Sequence, residues 1–109
     1  MAESRNQRIL IVDNDEKESK RLETVLQGGG YDTITTWSGL EALDLLKSQK
    51  IDILLVSSYL PDLYIGDFLA RLHGLPNQPC SIVMQEGYDV AATLSKVTSM
   101  IGEEKLQEK

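Results

Sequence analysis

Two short runs, Arg8–Val12 (R-I-L-I-V) and Ile51–Val56 (I-D-I-L-L-V), are apolar at nearly every position and then stop abruptly at polar residues. A strand with one wet face would alternate. Continuous apolarity asks for cover on both faces, the pattern of a parallel strand held between two layers of helices. Neither run approaches the roughly 18 apolar residues that a membrane helix needs.

The stretches between the runs supply the helices. Asp13, Asn14 and Asp15 offer loop and N-cap chemistry, and Glu16 opens a helix whose first-turn acids suit the positive end of its dipole. Leu22, Val25 and Leu26 form its apolar stripe, and Gly28–Gly30 end it. A phosphate-cradling glycine loop would follow a strand and open a helix. This triplet follows a helix and precedes a strand, so it reads as a C-cap and turn. Asp32–Trp37 alternates and is β-branched, a second strand whose threonines suit a sheet edge. Residues 38–48 (S-G-L-E-A-L-D-L-L-K-S) make an amphipathic helix with Leu40, Leu43 and Leu46 on one face. After the Ile51–Val56 strand a loop runs to Gly66, D-F-L-A-R-L-H forms a short helix, and G-L-P-N-Q-P breaks the chain. Ser81–Met84 is a fourth strand, and Asp89 caps a last helix striped by Val90, Leu94, Val97 and Ile101. Strand and helix therefore alternate within a single domain, 1–109, with an N-terminal tail (1–7) and a charged, frayed tail (103–109). The expected fold class is α/β, a doubly wound parallel sheet.

Seventeen Asp+Glu against eleven Lys+Arg give a net charge of −6, which argues against nucleic-acid or anionic-membrane partners. One cysteine, Cys80, excludes a disulfide framework within the chain and any multi-cysteine metal site, so a reduced, cytoplasmic protein is the default expectation. Beside Pro79 at a strand entrance, Cys80 reads as a small buried hydrophobe. The start, M-A-E-S-R-N-Q-R, leads into no long apolar stretch and carries no targeting signal.

In an open parallel sheet the carboxyl ends of the first and third strands face one crevice. Here that crevice receives Asp13 and Asn14, then Ser57 and Ser58, with Gln85 and Glu86 from the fourth strand. The segments I-L-I-V-D-N-D-E, G-Y-D-T-I-T-T-W-S-G-L-E-A-L-D-L-L and I-D-I-L-L-V-S-S-Y-L-P-D, in that order and spacing, resemble the receiver domain of bacterial two-component response regulators. The resemblance covers roughly the first 85 residues. It implies a flavodoxin-like receiver fold and a phosphoryl switch. In that family an aspartate ending the third strand accepts phosphate from a histidine kinase, and paired acids after the first strand hold Mg²⁺. A Thr or Ser after the fourth strand and a Lys after the fifth contact the phosphoryl group.

Carried over by position, the resemblance puts Ser57 at the acceptor, four residues before Pro61. Asp13 matches the first acid of the pair, Asn14 stands at the second, and Gln85 stands at the switch hydroxyl. The Lys-Pro of a fifth strand has no counterpart, and D-L-Y-I-G is one residue longer than the family's usual stretch before the glycine. Aspartyl phosphorylation needs a carboxylate, whereas a serine needs a positioned base. The only histidine, His73, falls at a helix C-terminus. Mg²⁺ is normally held through one or two carboxylates and phosphate oxygens. Asp13 is the one certain anion, a weak Mg²⁺ candidate; Asp15 is better used as a cap, and Glu86 could lend charge. No metal ligation and no enzymatic activity are expected. Ser57 or Ser58 could accept phosphate from a Ser/Thr kinase, but small hydroxyls at a strand end more often satisfy local backbone groups. No G-x-S-x-G elbow supports a hydrolase, and no phosphate loop supports a flavodoxin-like small-molecule module.

A receiver usually continues helix, strand, helix after the fourth strand, whereas Glu86–Lys109 reads as one helix and a tail. Either this is a four-stranded variant or the chain is a piece of a longer one. With four strands the last is an edge with unpaired N–H and C=O groups, which invites pairing. The expected function is a degenerate receiver-like signalling domain that acts by protein–protein contact. Its partner would be a sensor kinase, an output protein or a second copy, through the fourth-strand edge or the last helix. The alternative is a phosphorylatable switch using a displaced acid or a serine.

Overall fold

The computed structural model describes residues 7–76, 78–85 and 88–107, with side chains as far as Ser99. Residues 1–6 of the expected N-terminal tail, Glu86, the side chain of Ile101 and residues 108–109 lie outside the described set. Four strands alternate with four helices: β1 (Arg8–Val12), α1 (Glu16–Gly28), β2 (Asp32–Thr36), α2 (Gly39–Ser48), β3 (Ile53–Ser57), α3 (Ile65–His73), β4 (Cys80–Met84) and α4 (Val90–Gln107). The sheet is parallel throughout, in the order β2-β1-β3-β4, so β2 sits at an edge as its threonines suggested. No helix among the described residues is long and apolar enough to cross a membrane.

The continuous apolarity of β1 is used on both faces. Ile9 and Ile11, with Ile53, Leu55 and Met84, meet Leu22 and Leu26 of α1 and Val97 of α4. Leu10 and Val12, with Leu54 and Val56, meet Ala42, Leu43 and Leu46 of α2 and Phe68 and Leu72 of α3. All four of Ile9–Val12 and all three of Leu54–Val56 have no exposed surface, and each such side chain contributes about 1.5–3 kcal/mol. The two central strands are therefore the most strongly fixed elements, and their ends are held level: Val12 pairs with both Thr36 and Val56, and Ser57 pairs with Met84.

The caps also follow the sequence. Asp15 accepts from the backbone N–H groups of Lys17 (3.1 Å) and Glu18 (3.2 Å), and Ser38 accepts from Glu41 (3.0 Å). Asp89 accepts from the Ala91 N–H at 3.1 Å at the start of α4. A less obvious cap comes from the loop after β3. Asp62 accepts from the Ser38 hydroxyl (2.7 Å) and from the N–H groups of Gly39 (2.9 Å) and Leu40 (3.2 Å), binding that loop to the first turn of α2. Glycine at 39 permits this approach, since a Cβ there would stand 3.0 Å from Leu60 Cδ1.

Several expectations are corrected. Leu40 is 47% exposed, because each i, i+3 step turns about 60° short of a full circle, and the seam centred on Leu43 and Leu46 leaves Leu40 at its rim. β2 stops at Thr36, which places Trp37 in the following bend, largely exposed. β3 starts at Ile53 rather than Ile51 and ends on Ser57. Cys80 is exposed, not a buried hydrophobe: it begins an edge strand along which burial rises only towards Met84. α4 extends through Gln107, into the stretch read as a charged tail, where Glu, Lys, Leu and Gln are strong helix formers.

The last helix lies on the α1 face, where Val97 is fully buried and Val90 and Leu94 pack against the same cluster. Its described stripe is thus used within the chain rather than left for a partner. Both rightward crossovers, through α2 and α3, run over the opposite face. A right-handed crossover to a parallel strand beyond β4 would also need a helix on that opposite face, and α4 is not there.

Two outcomes follow from this packing. In native buffer Cys80 will react completely with a thiol-specific chromogen, as it does after denaturation; protection in the folded protein would contradict its placement. Burial acts to raise the Asp62 pKa, but the Ser38 hydroxyl and the Gly39 and Leu40 amides outweigh it and bring it below the ordinary value of 3.8. Its contribution to stability is therefore full above that value and disappears as pH falls through the lower folded one. Asp62→Ala should lower the urea midpoint at neutral pH and leave it little changed under strongly acid conditions.

Candidate functional site

The level strand ends bring the chemistry to one place. Asp13, the first residue past β1, is 7% exposed, and its backbone N–H donates to the Thr36 carbonyl at 3.0 Å. Its carboxylate is engaged on both sides: Oδ1 accepts from the Asp15 N–H at 3.0 Å, and Oδ2 accepts from the Tyr88 hydroxyl at 3.1 Å. Asn14 beside it is exposed. Ser57, half-buried at the end of β3, accepts the Tyr59 N–H on its Oγ at 3.2 Å, and the Ser58 N–H donates to the Met84 carbonyl at 2.8 Å. Gln85 follows β4 directly.

Asp13, Asn14, Ser57 and Gln85 line one cleft of about 400 Å³, together with Asp15, Glu18, Tyr59 and Tyr88. Four of the six residues that the sequence places at the strand ends are thus neighbours, and Glu86 lies outside the described residues. Ser58 is not among the lining residues, and His73 lies exposed at the end of α3, outside the cleft. The sequence reading passed over Glu18 and the two tyrosines. Tyr59 was visible as the aromatic ending S-S-Y. Tyr88 was marked only by preceding the cap Asp89, a position that turns its ring back over the strand end.

The cleft is one-sided in charge. Among the described residues three carboxylates line it, and no Lys, Arg or His does. Among the described residues there is no group of three His, Cys, Asp or Glu side chains placed to hold a metal ion. Burial raises the pKa of Tyr88 well above the ordinary tyrosine range, with further upward pressure from the charge and hydrogen bond of Asp13 and the charges of Glu18 and Asp15. The phenol is the donor of this pair.

No family model matches the chain. Among curated proteins, the polar-differentiation response regulators DivK of Brucella ovis and Brucella anthropi are 39% and 37% identical over 54 residues, half of this chain. The chain spans 44% of the length of each. Among solved structures, a CheY-like response regulator receiver domain protein from Methanospirillum hungatei superposes with a TM-score of 0.85 over 94% of this chain and 99% of that one, at 18% identity. The signal receiver domain of an HD domain-containing protein from Pseudomonas fluorescens gives 0.82 over 99% of this chain and 96% of that one, at 19% identity. Half of the sequence is thus similar to part of these response regulators, and the whole fold is the flavodoxin-like architecture of the receiver structures.

The Tyr88 contact has a spectroscopic consequence. In an alkaline absorbance titration one phenol ionises late, beyond the ordinary range near 10.0, and Tyr88→Phe removes that phase. Because the folded pKa is the higher one, Tyr88 supports the fold below the ordinary value and this support is lost as pH climbs towards the folded one. A late phase persisting in Tyr88→Phe would assign it to another residue.

Proposed function

We propose that this response regulator receiver domain signals by protein contact without accepting a phosphoryl group. The observation that carries the reading is the state of the cleft's oxygens. The buried carboxylate, Asp13, has both oxygens bonded, and the oxygen at the acceptor position is the Ser57 hydroxyl.

Transfer to an aspartate forms a bond between phosphorus and an oxygen that is already anionic. Ser57 must instead lose a proton; among the described lining residues there is no histidine to take it, and the Asp13 and Asp15 carboxylates are already hydrogen-bonded elsewhere. Its Oγ already accepts the Tyr59 N–H. A transferred group would bring further negative charge beside Asp13, Asp15 and Glu18, with no cation among the lining residues to offset it. The residues present do not fit Mg²⁺ either. Among the described residues no three acidic, histidine or cysteine side chains converge, Asn14, Ser57 and Gln85 are neutral, Asp13 points at an N–H and an O–H, and Glu18 is the one lining carboxylate left besides Asp13 and Asp15. Asp15 is engaged as the cap of α1.

Signalling then rests on surfaces. The outer edge of β4 is the strongest candidate, because Cys80–Met84 carries no charge or proline to discourage pairing, and α4 lies on the α1 face. A kinase, an output protein or a second copy of the chain could add a strand there.

Incubation with a small acyl-phosphate donor and Mg²⁺, followed by intact mass measurement, should leave the mass unchanged. A stoichiometric phosphoryl adduct would instead establish a switch working through a serine or a displaced acid. For the self-pairing form of the surface, light scattering behind size exclusion should give a dimer at about ten micromolar and above. A monomer there leaves the edge to a different protein.

A further inference from the structure

We infer that Tyr88 is a positioning residue that occupies, with its own hydroxyl, the oxygen of Asp13 that a divalent cation would need, and so ties the cleft to the start of α4. This rests on the reading of the cleft given above and extends it from what the pocket lacks to what keeps it closed.

The geometry has three parts. Asp13 Oδ2 receives the Tyr88 O–H at 3.1 Å across 75 residues of sequence, while Oδ1 is held by the Asp15 N–H. Each oxygen of a carboxylate that is 7% exposed therefore already has a hydrogen-bond partner within the chain. The Tyr88 ring packs against the core cluster formed by Ile9, Ile11, Leu22, Leu26 and Val97 on the α1 face. Its hydroxyl thus reaches the cleft from a body anchored in the core. Finally, Tyr88 immediately precedes Asp89, whose carboxylate and carbonyl accept the first amides of α4, from Ala91 at 3.1 Å and Thr93 at 2.9 Å. The contact at the pocket and the first turn of α4 are therefore one continuous structure.

The chemistry favours this pairing over an ion. A phenol O–H bonding a carboxylate makes a charge-assisted hydrogen bond, and it leaves the carboxylate's charge in place without adding a second one. A hydrated cation would have to displace the hydroxyl to reach Asp13, because Asn14, Ser57 and Gln85 are neutral, Asp15 is engaged as the cap of α1, and Glu18 is the one other carboxylate among the described lining residues.

The test compares two unphosphorylated proteins, wild type and Tyr88→Phe, titrated with Mn²⁺ and followed by the electron paramagnetic resonance of the free ion. Removing the hydroxyl keeps the ring in the core and frees Asp13 Oδ2. Mn²⁺ should bind Tyr88→Phe about tenfold more tightly, the factor expected once a charge-assisted hydrogen bond stops competing. Asp13→Asn should abolish that gain when added to Tyr88→Phe. Amide exchange of Ala91–Thr93 should quicken in Tyr88→Phe, whereas a purely structural tyrosine would alter exchange without touching Mn²⁺ affinity. Equal Mn²⁺ affinity in wild type and Tyr88→Phe overturns the inference. The outcome is independent of the acyl-phosphate experiment, since a wild type that did take a phosphoryl group would still leave the comparison intact.

Discussion

Everything in this molecule is referred to the burial of β1 and β3 on both faces. Ile9–Val12 and Leu54–Val56 have no exposed surface, so a slip of either strand by one residue would exchange its two apolar sets between layers shaped for different partners. That constraint fixes register, and register places the ends of β1, β3 and β4 side by side. The cleft is a consequence of packing some distance below it. Its residues need no interaction of their own to be neighbours, which leaves their chemistry free to vary while the scaffold stays the same.

The loops above the sheet are held by a different kind of force. Asp15, Ser38, Asp62 and Asp89 each accept backbone N–H groups at the first turn of a helix, where those donors have no partner within the helix. Asp62 does so from a different segment, so the β3–α3 loop and α2 cannot move independently. Asp15 therefore stands in the cleft for a reason unconnected with catalysis. A count of carboxylates near the strand ends overstates the charge available to a ligand, and their individual hydrogen bonds are what separates a cap from a free group.

Much of this was legible in the sequence because it depends on local patterns. Two apolar runs, helix stripes and N-cap residues are read one element at a time, and the resemblance of I-L-I-V-D-N-D-E and I-D-I-L-L-V-S-S-Y-L-P-D to receiver domains supplied their arrangement. Asp13, Asn14, Ser57 and Gln85 followed from being next to strand ends. What could not be read depends on which neighbour an element lacks. Cys80 sits in an apolar-looking strand, yet it is exposed because β4 has nothing beyond it among the described residues. Leu40 has helical spacing with Leu43 but lies at the rim of the buried face. Tyr88 is invisible for a related reason: its partner Asp13 is 75 residues away, and only the placement of α4 on the α1 face turns it towards the cleft.

The same dependence on neighbours explains why the proposed loss of phosphoryl chemistry should be collective. At about 4 Å, two like charges repel by roughly 1 kcal/mol in water and about 4 kcal/mol near a protein surface. A cleft with Asp13, Asp15 and Glu18 and no lining cation gives an added anion no relief from that repulsion. Once the compensating cations are absent, an anionic acceptor has little to recommend it, and a neutral serine that satisfies the Tyr59 amide is the better tenant of the position. Asp13 differs because it has structural partners on both oxygens. A buried carboxylate with two hydrogen bonds is stable where an unpartnered one is not, so this acid has a structural reason to occupy the pocket whatever the chemistry there.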